Sequence, residues 1–247
     1  MKIHPTAIIE DGARLGDDVE IGPYCVVGSG ARIGDRVKMA AHVVVTGETE
    51  IGEETQISPF AALGGAPQHV SYAGEETRLV IGARCVIREH VTMNLGTVDG
   101  GGVTRVGADG MFMTGAHVAH DCVVGDHVIM ANNATLGGFV TVGDNAILGG
   151  LCAVHQFCRV GAFAFVGGCA AAPTDLIPYG SATGNHASLS GLNIIGMKRR
   201  GMDRETIHAI RRAYKTLFFG EDAFQERVVR AEAEFGAVGE VMRIIAF

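Results

Sequence analysis

A large apolar residue recurs at every sixth position along most of this chain, and that period limits the possible folds more than any other feature. A second series, mostly of small residues, lies four positions after the first. A period of six with large and small inward positions is typical of a parallel β-helix, in which three repeats form one triangular coil. The repeats predict about eight coils, stacked at the roughly 4.8 Å spacing of paired strands. The 25 large positions are Ile3, Ile9, Leu15, Ile21, Val27, Ile33, Met39, Val45, Ile51, Ile57, Leu63, Ile81, Ile87, Met93, Val106, Phe112, Val118, Val124, Met130, Leu136, Val142, Leu148, Val154, Val160 and Val166.

Two interruptions of the period predict where loops leave the coil. The series breaks over residues 64–80 and again over residues 95–105, and the second segment carries three consecutive glycines. Because a filled coil has no room for an insertion, both segments are expected to loop outward and to form a binding face. Glycine often follows the large residue directly, as at Gly16 and Gly107, and we expect it to provide unusual backbone angles at the turns.

The spacing of apolar residues changes near the C-terminus. After Val166 the six-residue repeat fades, and from about Leu189 the spacing becomes helical. Asp203 is a suitable N-cap for one helix, and two more are expected over residues 222–235 and 238–245. We therefore predict a β-helical domain over 1–188, with loop insertions at 64–80 and 95–105, and a C-terminal helical region over 189–247.

Composition and charge narrow the function classes. The chain has no run of 18 apolar residues and no apolar signal-peptide core after Met1, so we expect a cytoplasmic protein without a transmembrane segment. The net charge of -7 argues against nucleic-acid binding. The window from Lys198 to Lys215 nevertheless holds seven basic and two acidic residues, which predicts one anionic partner at one place.

The cysteines fit the repeat rather than a metal site or a disulfide framework. Five of the six lie in the series of small inward positions, and no Cys-x-x-Cys spacing occurs. Small buried thiols are therefore predicted at these positions: Cys25, Cys85, Cys122, Cys152 and Cys158.

Residues 18 apart lie above one another in such a stack, and one column carries groups suited to catalysis. His120, Gly138 and Gln156 share it, with Asp121 directly after His120. An imidazole beside an unshielded glycine N–H is the arrangement of a general base and an oxyanion donor. Two alternatives remain open: a solvated surface histidine, or a zinc site that includes His117, although no third ligand at matching spacing is evident.

Motifs spread over nearly the whole chain add a resemblance to a known family. In order they are His4-Pro5-Thr6-Ala7, Tyr72-Ala73-Gly74-Glu75, Gly96-Thr97-Val98, Gly100-Gly101-Gly102, His117-Val118-Ala119-His120-Asp121-Cys122, Ala131-Asn132-Asn133-Ala134-Thr135-Leu136, Ala153-Val154-His155-Gln156-Phe157-Cys158, Gly184-Asn185-His186-Ala187 and Lys198-Arg199-Arg200-Gly201. With them the chain resembles the UDP-N-acetylglucosamine 3-O-acyltransferases, which catalyse the first step of lipid A biosynthesis. The resemblance implies the left-handed form of the parallel β-helix, with a C-terminal α-helical region.

The resemblance also implies the reaction and its partners. The enzyme would be a homotrimer with active sites between subunits, and it would take an acyl chain from acyl carrier protein rather than from coenzyme A. No metal and no redox cofactor are implied. His120 would match the general base, Asp121 its orienting partner and Gly138 the oxyanion donor. Substrate-contact positions would be matched by Gln68, His117, His155, Gln156, Asn193, Arg199 and Arg200.

Two further hypotheses concern the acyl donor. Gly168 would match the position that limits acyl length, and a glycine there would leave the groove open. It lies 48 residues after His120, so an acyl chain parallel to the stack would reach it after roughly 13 Å. The acidic carrier is expected to dock on the basic window, through Arg204, Arg211, Arg212 and Lys215.

Four departures from the family pattern lie around the expected sugar-nucleotide site. Phe139, Asn94 and Ser71 stand where histidine, histidine and lysine are common, and Ile195 stands where glutamate is common. They leave open an N-acyltransferase that acts on a 3-amino sugar. Two other classes are also open: a zinc carbonic anhydrase on the same fold, and a scaffold that binds carrier protein without turnover.

Overall fold

Twenty-eight strands, most of them two residues long, wind through a computed structural model that describes residues 1–247. They are β1 (Lys2–Ile3), β2 (Ile8–Ile9), β3 (Arg14–Leu15), β4 (Glu20–Ile21), β5 (Val26–Val27), β6 (Arg32–Ile33), β7 (Lys38–Met39), β8 (Val44–Val45), β9 (Glu48–Ile51), β10 (Gln56–Ile57), β11 (Ala62–Gly65), β12 (Arg78–Ile81), β13 (Val86–Ile87), β14 (Thr92–Asn94), β15 (Val103–Val106), β16 (Met111–Phe112), β17 (His117–Val118), β18 (Val123–Val124), β19 (Ile129–Met130), β20 (Thr135–Leu136), β21 (Thr141–Val142), β22 (Ile147–Leu148), β23 (Ala153–Val154), β24 (Arg159–Val160), β25 (Phe165–Val166), β26 (Ala171–Ala172), β27 (Gly180–Thr183) and β28 (Ser188–Leu192).

The strands form the three faces of a left-handed parallel β-helix, which confirms the predicted fold class. As far as β26, every third strand joins the same sheet. The first sheet runs from β1 through β4 to β25 and ends with β27 and β28, the second runs from β2 to β26, and the third from β3 to β24. We call the turns between the first and second sheets the first corner, those between the second and third sheets the second corner, and those between the third and first sheets the third corner.

The large residues of the repeat fill the interior of the stack. Val27, Leu63, Met93 and Val166 are at most 1% exposed, and they belong to one core cluster of 47 buried residues. This burial is the main term that stabilises a coil whose strands are too short to be stable alone. The five predicted inward cysteines are buried, whereas Cys169 is exposed.

The glycines after the large residues have a different role from the expected one. Left-handed backbone angles occur instead at the second turn residue of many corners, which is usually not glycine; Asp121 has φ 61° and Phe139 has φ 63°. Gly16 has an ordinary φ, but a Cβ atom on it would lie 2.7 Å from the backbone N of Asp35 in the next coil. Close stacking of coils, rather than backbone conformation, therefore requires glycine there.

Both insertions leave the stack at the second corner. One covers residues 66–77 between β11 and β12, and the other covers residues 95–102 between β14 and β15. Strands thus take up both ends of the first predicted insertion and the C-terminal end of the second, because the chain pairs with neighbouring coils closer to each loop than predicted. The two loops place irregular backbone beside one corner only.

Four helices complete the chain: α1 (Ile194–Arg199), α2 (Arg204–Phe219), α3 (Phe224–Phe235) and α4 (Gly239–Ile245). Asp203 caps α2 by accepting from the backbone N of Thr206, as predicted. The start of the helical region was placed too early, because residues 188–192 form β28, which pairs antiparallel with β27. The helices share a second cluster of 11 buried residues with Tyr179 of the third corner. None of them is long and apolar enough to cross a membrane.

Candidate active site

His120 and Asp121 form a hydrogen-bonded pair at the second corner, in the turn between β17 and β18. Nδ1 of His120 lies 2.8 Å from Oδ2 of Asp121, and both side chains are nearly inaccessible, at 9% and 1% exposure. An ionised carboxylate only accepts, so the imidazole donates through Nδ1 and its Nε2 keeps a free lone pair. The pair thus presents Nε2 as a proton acceptor, and the bond from Nδ1 to Asp121 fixes the orientation of the imidazole ring.

The 95–102 loop surrounds the Asp121 carboxylate. Thr97 donates to it twice, from its backbone N to Oδ1 at 2.7 Å and from Oγ1 to Oδ2 at 2.6 Å. Thr104 Oγ1 accepts from the Asp121 backbone N at 2.8 Å. A buried carboxylate is stabilised by hydrogen-bond donors, and here the loop and the imidazole provide them.

Gly138 lies directly above His120, and its N–H is free. Phe139 N donates to His120 O, and Phe157 N donates to Gly138 O, so successive coils are in register at this corner. At the third corner the equivalent N–H groups of Asp17 and Ala108 donate to aspartate side chains of the next coil. The next coil has Gln156 above Gly138, and no acceptor within the chain takes the Gly138 N–H.

Two aromatic rings contact the imidazole edge to face. His69 of the 66–77 insertion lies at 5.1 Å from it, and Phe139 of the next coil lies at 5.3 Å, both measured between ring centres. Phe139 in turn stacks on Phe157 at 4.7 Å, and Phe157 is 63% exposed. The departure at Phe139 therefore places apolar rings beside the His120 imidazole.

The predicted contact residues His117, His155, Gln156 and Gln68 lie on the second sheet, the second corner or its loop. His117 is on β17, and its Nδ1 is 2.7 Å from Thr92 Oγ1. Burial lowers the pKa of His117 from its ordinary value of 6.5, and His120 nearby lowers it further. Gln68, His155 and Gln156 are exposed.

The loop residues beside this corner form a groove of about 360 Å³. It is lined by His69, Ser71, Tyr72, Glu75, Thr97, Val98 and Asp99. Of the other departures, Ile195 is exposed on α1, while Asn94 is buried and its Nδ2 donates to Ala66 O at 3.1 Å. Ser71 thus lies in a loop of the second corner, and Asn94, at the end of β14, is bonded to that loop, whereas Ile195 lies on α1.

Within one chain, the remaining predicted contacts lie at the third corner. Asn193 caps α1 through Oδ1, and its Nδ2 donates to Phe163 O at 2.9 Å, so both ends of its amide are occupied. Arg200 Nη2 donates to His127 O at 3.2 Å, which places Arg199 and Arg200 at the same corner. One chain therefore does not bring these three residues together with His120.

Gly168 lies at the first corner, above Gly150, and this corrects the expected path of the acyl chain. A line parallel to the stack from His120 runs along the second corner through Gly138 and Gln156 and does not meet Gly168. The reason is that 48 residues amount to two coils and two of the three sides of a third. A groove that includes both residues must cross the second sheet or run between two chains.

The basic window forms an exposed surface on α1, α2 and the segment between them. Two grooves of about 710 and 470 Å³ meet there; Arg211 lines both, with Lys215 in the larger and Arg204 in the smaller. Leu192, Ile194, Tyr214 and Phe219 give the larger groove an apolar lining. Arg212 differs, since its guanidinium lies 5.3 Å from the ring centre of Phe235 on α3.

Other chemistry near the site is limited. Burial raises the pKa of the Cys122 thiol, next to Asp121, to about 12, so it stays protonated and is a poor nucleophile. Within the chain, no group of three or more His, Cys, Asp or Glu side chains is arranged to hold a metal ion.

Comparison with known proteins decides the family. The model of the bacterial transferase hexapeptide (six repeats) matches residues 12–47, and that of UDP N-acetylglucosamine O-acyltransferase, domain 2, matches residues 175–247. The acyl-[acyl-carrier-protein]–UDP-N-acetylglucosamine O-acyltransferase of Rhizobium johnstonii is 50% identical over 246 residues, covering 100% of this chain and 90% of the relative. This chain belongs to that O-acyltransferase family.

Solved O-acyltransferase structures agree in fold over the whole chain. The enzyme from Moraxella catarrhalis superposes with a TM-score of 0.96 at 39% identity, covering 100% of this chain and 96% of that one. The LpxA structure from Acinetobacter baumannii gives 0.94 at 40% identity, covering 98% and 95%. Both insertions and the helical region lie within these aligned lengths.

Sequence reasoning assigned no role to three residues around the catalytic pair: Thr97, which contacts Asp121, His69, which contacts His120, and Phe157, which stacks on Phe139. Thr97 was noted only as part of a motif, because no repeat register relates an insertion to the corner it covers. His69 lies in the other insertion, and the same limit applies to it. Phe157 could have been found, since it lies 18 residues after Phe139 in the same column.

Proposed function

We propose that this O-acyltransferase moves an acyl chain, of the 3-hydroxyacyl type, from acyl carrier protein to the 3-hydroxyl of UDP-N-acetylglucosamine, as the first step of lipid A biosynthesis. The observation that carries the proposal is the His120–Asp121 pair, whose free Nε2 faces a glycine with an unused N–H. A proton acceptor beside an oxyanion donor is what acyl transfer to an alcohol requires.

The reaction proceeds through one addition and one elimination. Nε2 of His120 takes the proton of the sugar hydroxyl while the hydroxyl oxygen attacks the thioester carbonyl carbon. The carbonyl oxygen becomes an oxyanion, which accepts from the Gly138 N–H. The intermediate then collapses, the C–S bond breaks, and the imidazolium returns the proton to the departing carrier thiolate. Asp121 holds the ring and stabilises its charged form throughout.

We propose a homotrimer in which each active site lies between two chains. His120 is at the second corner, whereas Arg199, Arg200 and Asn193 are at the third and Gly168 is at the first. A single site that uses all of them is possible only if a neighbouring chain supplies part of it. In this arrangement the two arginines bind the diphosphate, and Gln68, His117, His155 and Gln156 contact the sugar or the acyl thioester.

The carrier docks, in this proposal, on the grooves along α2. Carrier protein is acidic, and Arg204, Arg211 and Lys215 are exposed cations next to an apolar groove that can receive the apolar part of a carrier helix. We place the reaction in the cytoplasm, since six unpaired cysteines fit a reducing compartment.

The test is an assay with two acceptors and two donors. Purified protein is incubated with UDP-N-acetylglucosamine or its 3-amino analogue, each with an acyl carrier protein thioester or the matching coenzyme A thioester. We expect transfer from the carrier to the 3-hydroxyl sugar, and a loss on the order of a hundredfold or more for His120→Ala with the same oligomeric state. Faster acylation of the amino analogue, or an active His120→Ala variant, would overturn the proposal.

A further inference from the structure

Thr97 is the residue that ties the second insertion to the catalytic pair. It is 4% exposed, and its backbone N and its hydroxyl bind the two different oxygens of the Asp121 carboxylate. The hydroxyl and the His120 imidazole share one oxygen, Oδ2, at 2.6 and 2.8 Å. Thr97 and His120 thus fix that carboxylate oxygen from two directions.

The direction of the hydroxyl proton follows from its other neighbour. The backbone N of Gly100 lies 3.3 Å from Thr97 Oγ1 and is a donor only. The Gly100 N–H is shared between Thr97 O at 3.1 Å and Thr97 Oγ1, so the hydroxyl oxygen accepts there. The hydroxyl proton is directed to Asp121 Oδ2, because a carboxylate oxygen only accepts. This order keeps the carboxylate an acceptor for Nδ1 of His120 and leaves Nε2 as the free position.

The glycines of the loop make this arrangement possible. A Cβ atom on Gly100 would overlap the Asp121 carboxylate, so only glycine lets the loop approach so closely. Gly101 and Gly102 have φ of 85° and 78°, which other residues rarely adopt, and Gly102 N donates to Thr97 O at 2.8 Å. The three-glycine segment thus closes a tight turn whose fixed point is Thr97.

We propose that Thr97 is a positioning residue for the acyl transfer: its hydroxyl holds Asp121, and through Asp121 it holds His120 with Nε2 toward the substrates. The inference rests on the proposed function of His120. It adds a third member to the pair and gives the 95–102 insertion a catalytic purpose. Thr97 itself does not touch the reacting atoms.

The test compares Thr97→Val with Thr97→Ser. Valine has nearly the same shape and keeps the backbone donor, but it removes the hydroxyl, whereas serine restores it. We expect Thr97→Val to lower kcat on the order of tenfold to a hundredfold with little change in KM for either substrate, because a misplaced base affects the chemical step. Thr97→Ser should recover most of the rate.

A pH profile separates positioning from mere packing. A carboxylate that loses one donor attracts a proton on the imidazole more strongly, so the acid limb of kcat/KM for Thr97→Val should move to higher pH. The matched control is Thr55→Val at the third corner of an early coil, which removes a buried threonine hydroxyl that donates to Gly82 O at 3.3 Å. Thr55→Val should leave both the rate and the profile unchanged.

Each outcome decides between the claims. If Thr97→Val keeps the wild-type kcat and profile while His120→Ala is inactive, the role of Thr97 is disproved and the general base stands. If His120→Ala is active, the proposed function itself fails. If Thr97→Val and Thr97→Ser lose the same activity and the pH profile of kcat/KM is unchanged, the role of Thr97 is only structural and the inference is wrong.

Discussion

A Cβ atom added to Gly138 would lie 2.5 Å from Cε1 and 2.7 Å from Nε2 of His120. The glycine and the imidazole are therefore in contact through the one face of Gly138 that any other residue would fill. Gly138 does not have a positive φ, so its conformation alone does not require glycine. What requires it is the space that the base occupies.

This contact predicts that Gly138→Ala inactivates the enzyme without unfolding it. The added methyl group should displace the imidazole from its place beside the N–H, and a misplacement of that size costs on the order of a hundredfold in kcat. The control is Gly28→Ala at the same corner, where a Cβ meets its nearest atoms at 3.4 Å. Steady-state rates and melting temperatures check both variants; an active Gly138→Ala enzyme would show that the ring has room to move.

His117 predicts a pH-dependent term in stability. Its pKa is lowered in the folded chain, chiefly by burial, so the unfolded chain binds a proton first as the pH falls. Stability should therefore be lost between the unfolded value of 6.5 and the lower folded value, and should be unaffected by this group above pH 6.5. Melting temperatures of wild type and His117→Asn between pH 7.5 and 5 should converge on acidification. Curves that stay parallel would contradict the assignment.

The six-residue repeat was enough to predict the β-helix, because the position of a residue in the repeat determines whether its side chain is buried. Each large residue at the sixth position is an inward residue, and an 18-residue step along the sequence predicts Gly138 and Gln156 above His120. The same arithmetic fails at insertions. Thr97 is 23 residues before His120, and because it lies in an insertion, the 18-residue period does not predict its neighbours. Only the folded loop brings it to Asp121.

Residue spacing alone also misplaces Gly168. Rise along the axis depends only on the number of residues, whereas the corner depends on the remainder after whole coils are removed. The roughly 13 Å of rise follows from the residue count alone, and the remainder of twelve residues turns the chain through two further sides. Asn193 and Arg200 could not be placed at all by this method, since they follow the end of the repeat.

Complementation between chains tests whether the corners meet in a trimer. His120→Ala changes the second corner, and Arg200→Ala changes the third. If each site combines corners of two different chains, mixed trimers of the two inactive variants contain some sites with both residues intact. Co-expression of differently tagged chains, followed by purification through both tags, should therefore restore a fraction of wild-type activity. Mixed trimers that remain inactive would place both residues of one site on one chain.

The basic surface gives a prediction with an internal control. Arg211 lines both grooves of α2, whereas the Arg212 side chain lies over Phe235. We expect Arg211→Glu to raise KM for the carrier thioester on the order of tenfold and to weaken its dependence on salt, since steering by opposite charge is lost. Arg212→Glu should change KM less and lower the melting temperature more. Equal effects of the two reversals on KM would mean that the groove does not select the docking site.

The open space beside Gly168 predicts how the enzyme selects the length of the acyl donor. Its φ is ordinary, and a Cβ there would lie 3.4 Å from its nearest atom, Gly150 O, so a side chain fits locally without backbone strain. Gly168→Met should therefore fold normally and extend into the open space that the acyl tail needs. We expect kcat/KM for the longest donors to fall on the order of tenfold or more, with shorter donors spared, since each methylene that no longer fits carries its own cost. Ala41→Met places the same side chain at the same turn position of the first corner in an early coil, and it should not discriminate between donors. A donor series measured with both variants checks this, and an equal loss for all chain lengths in Gly168→Met would remove Gly168 from the acyl groove.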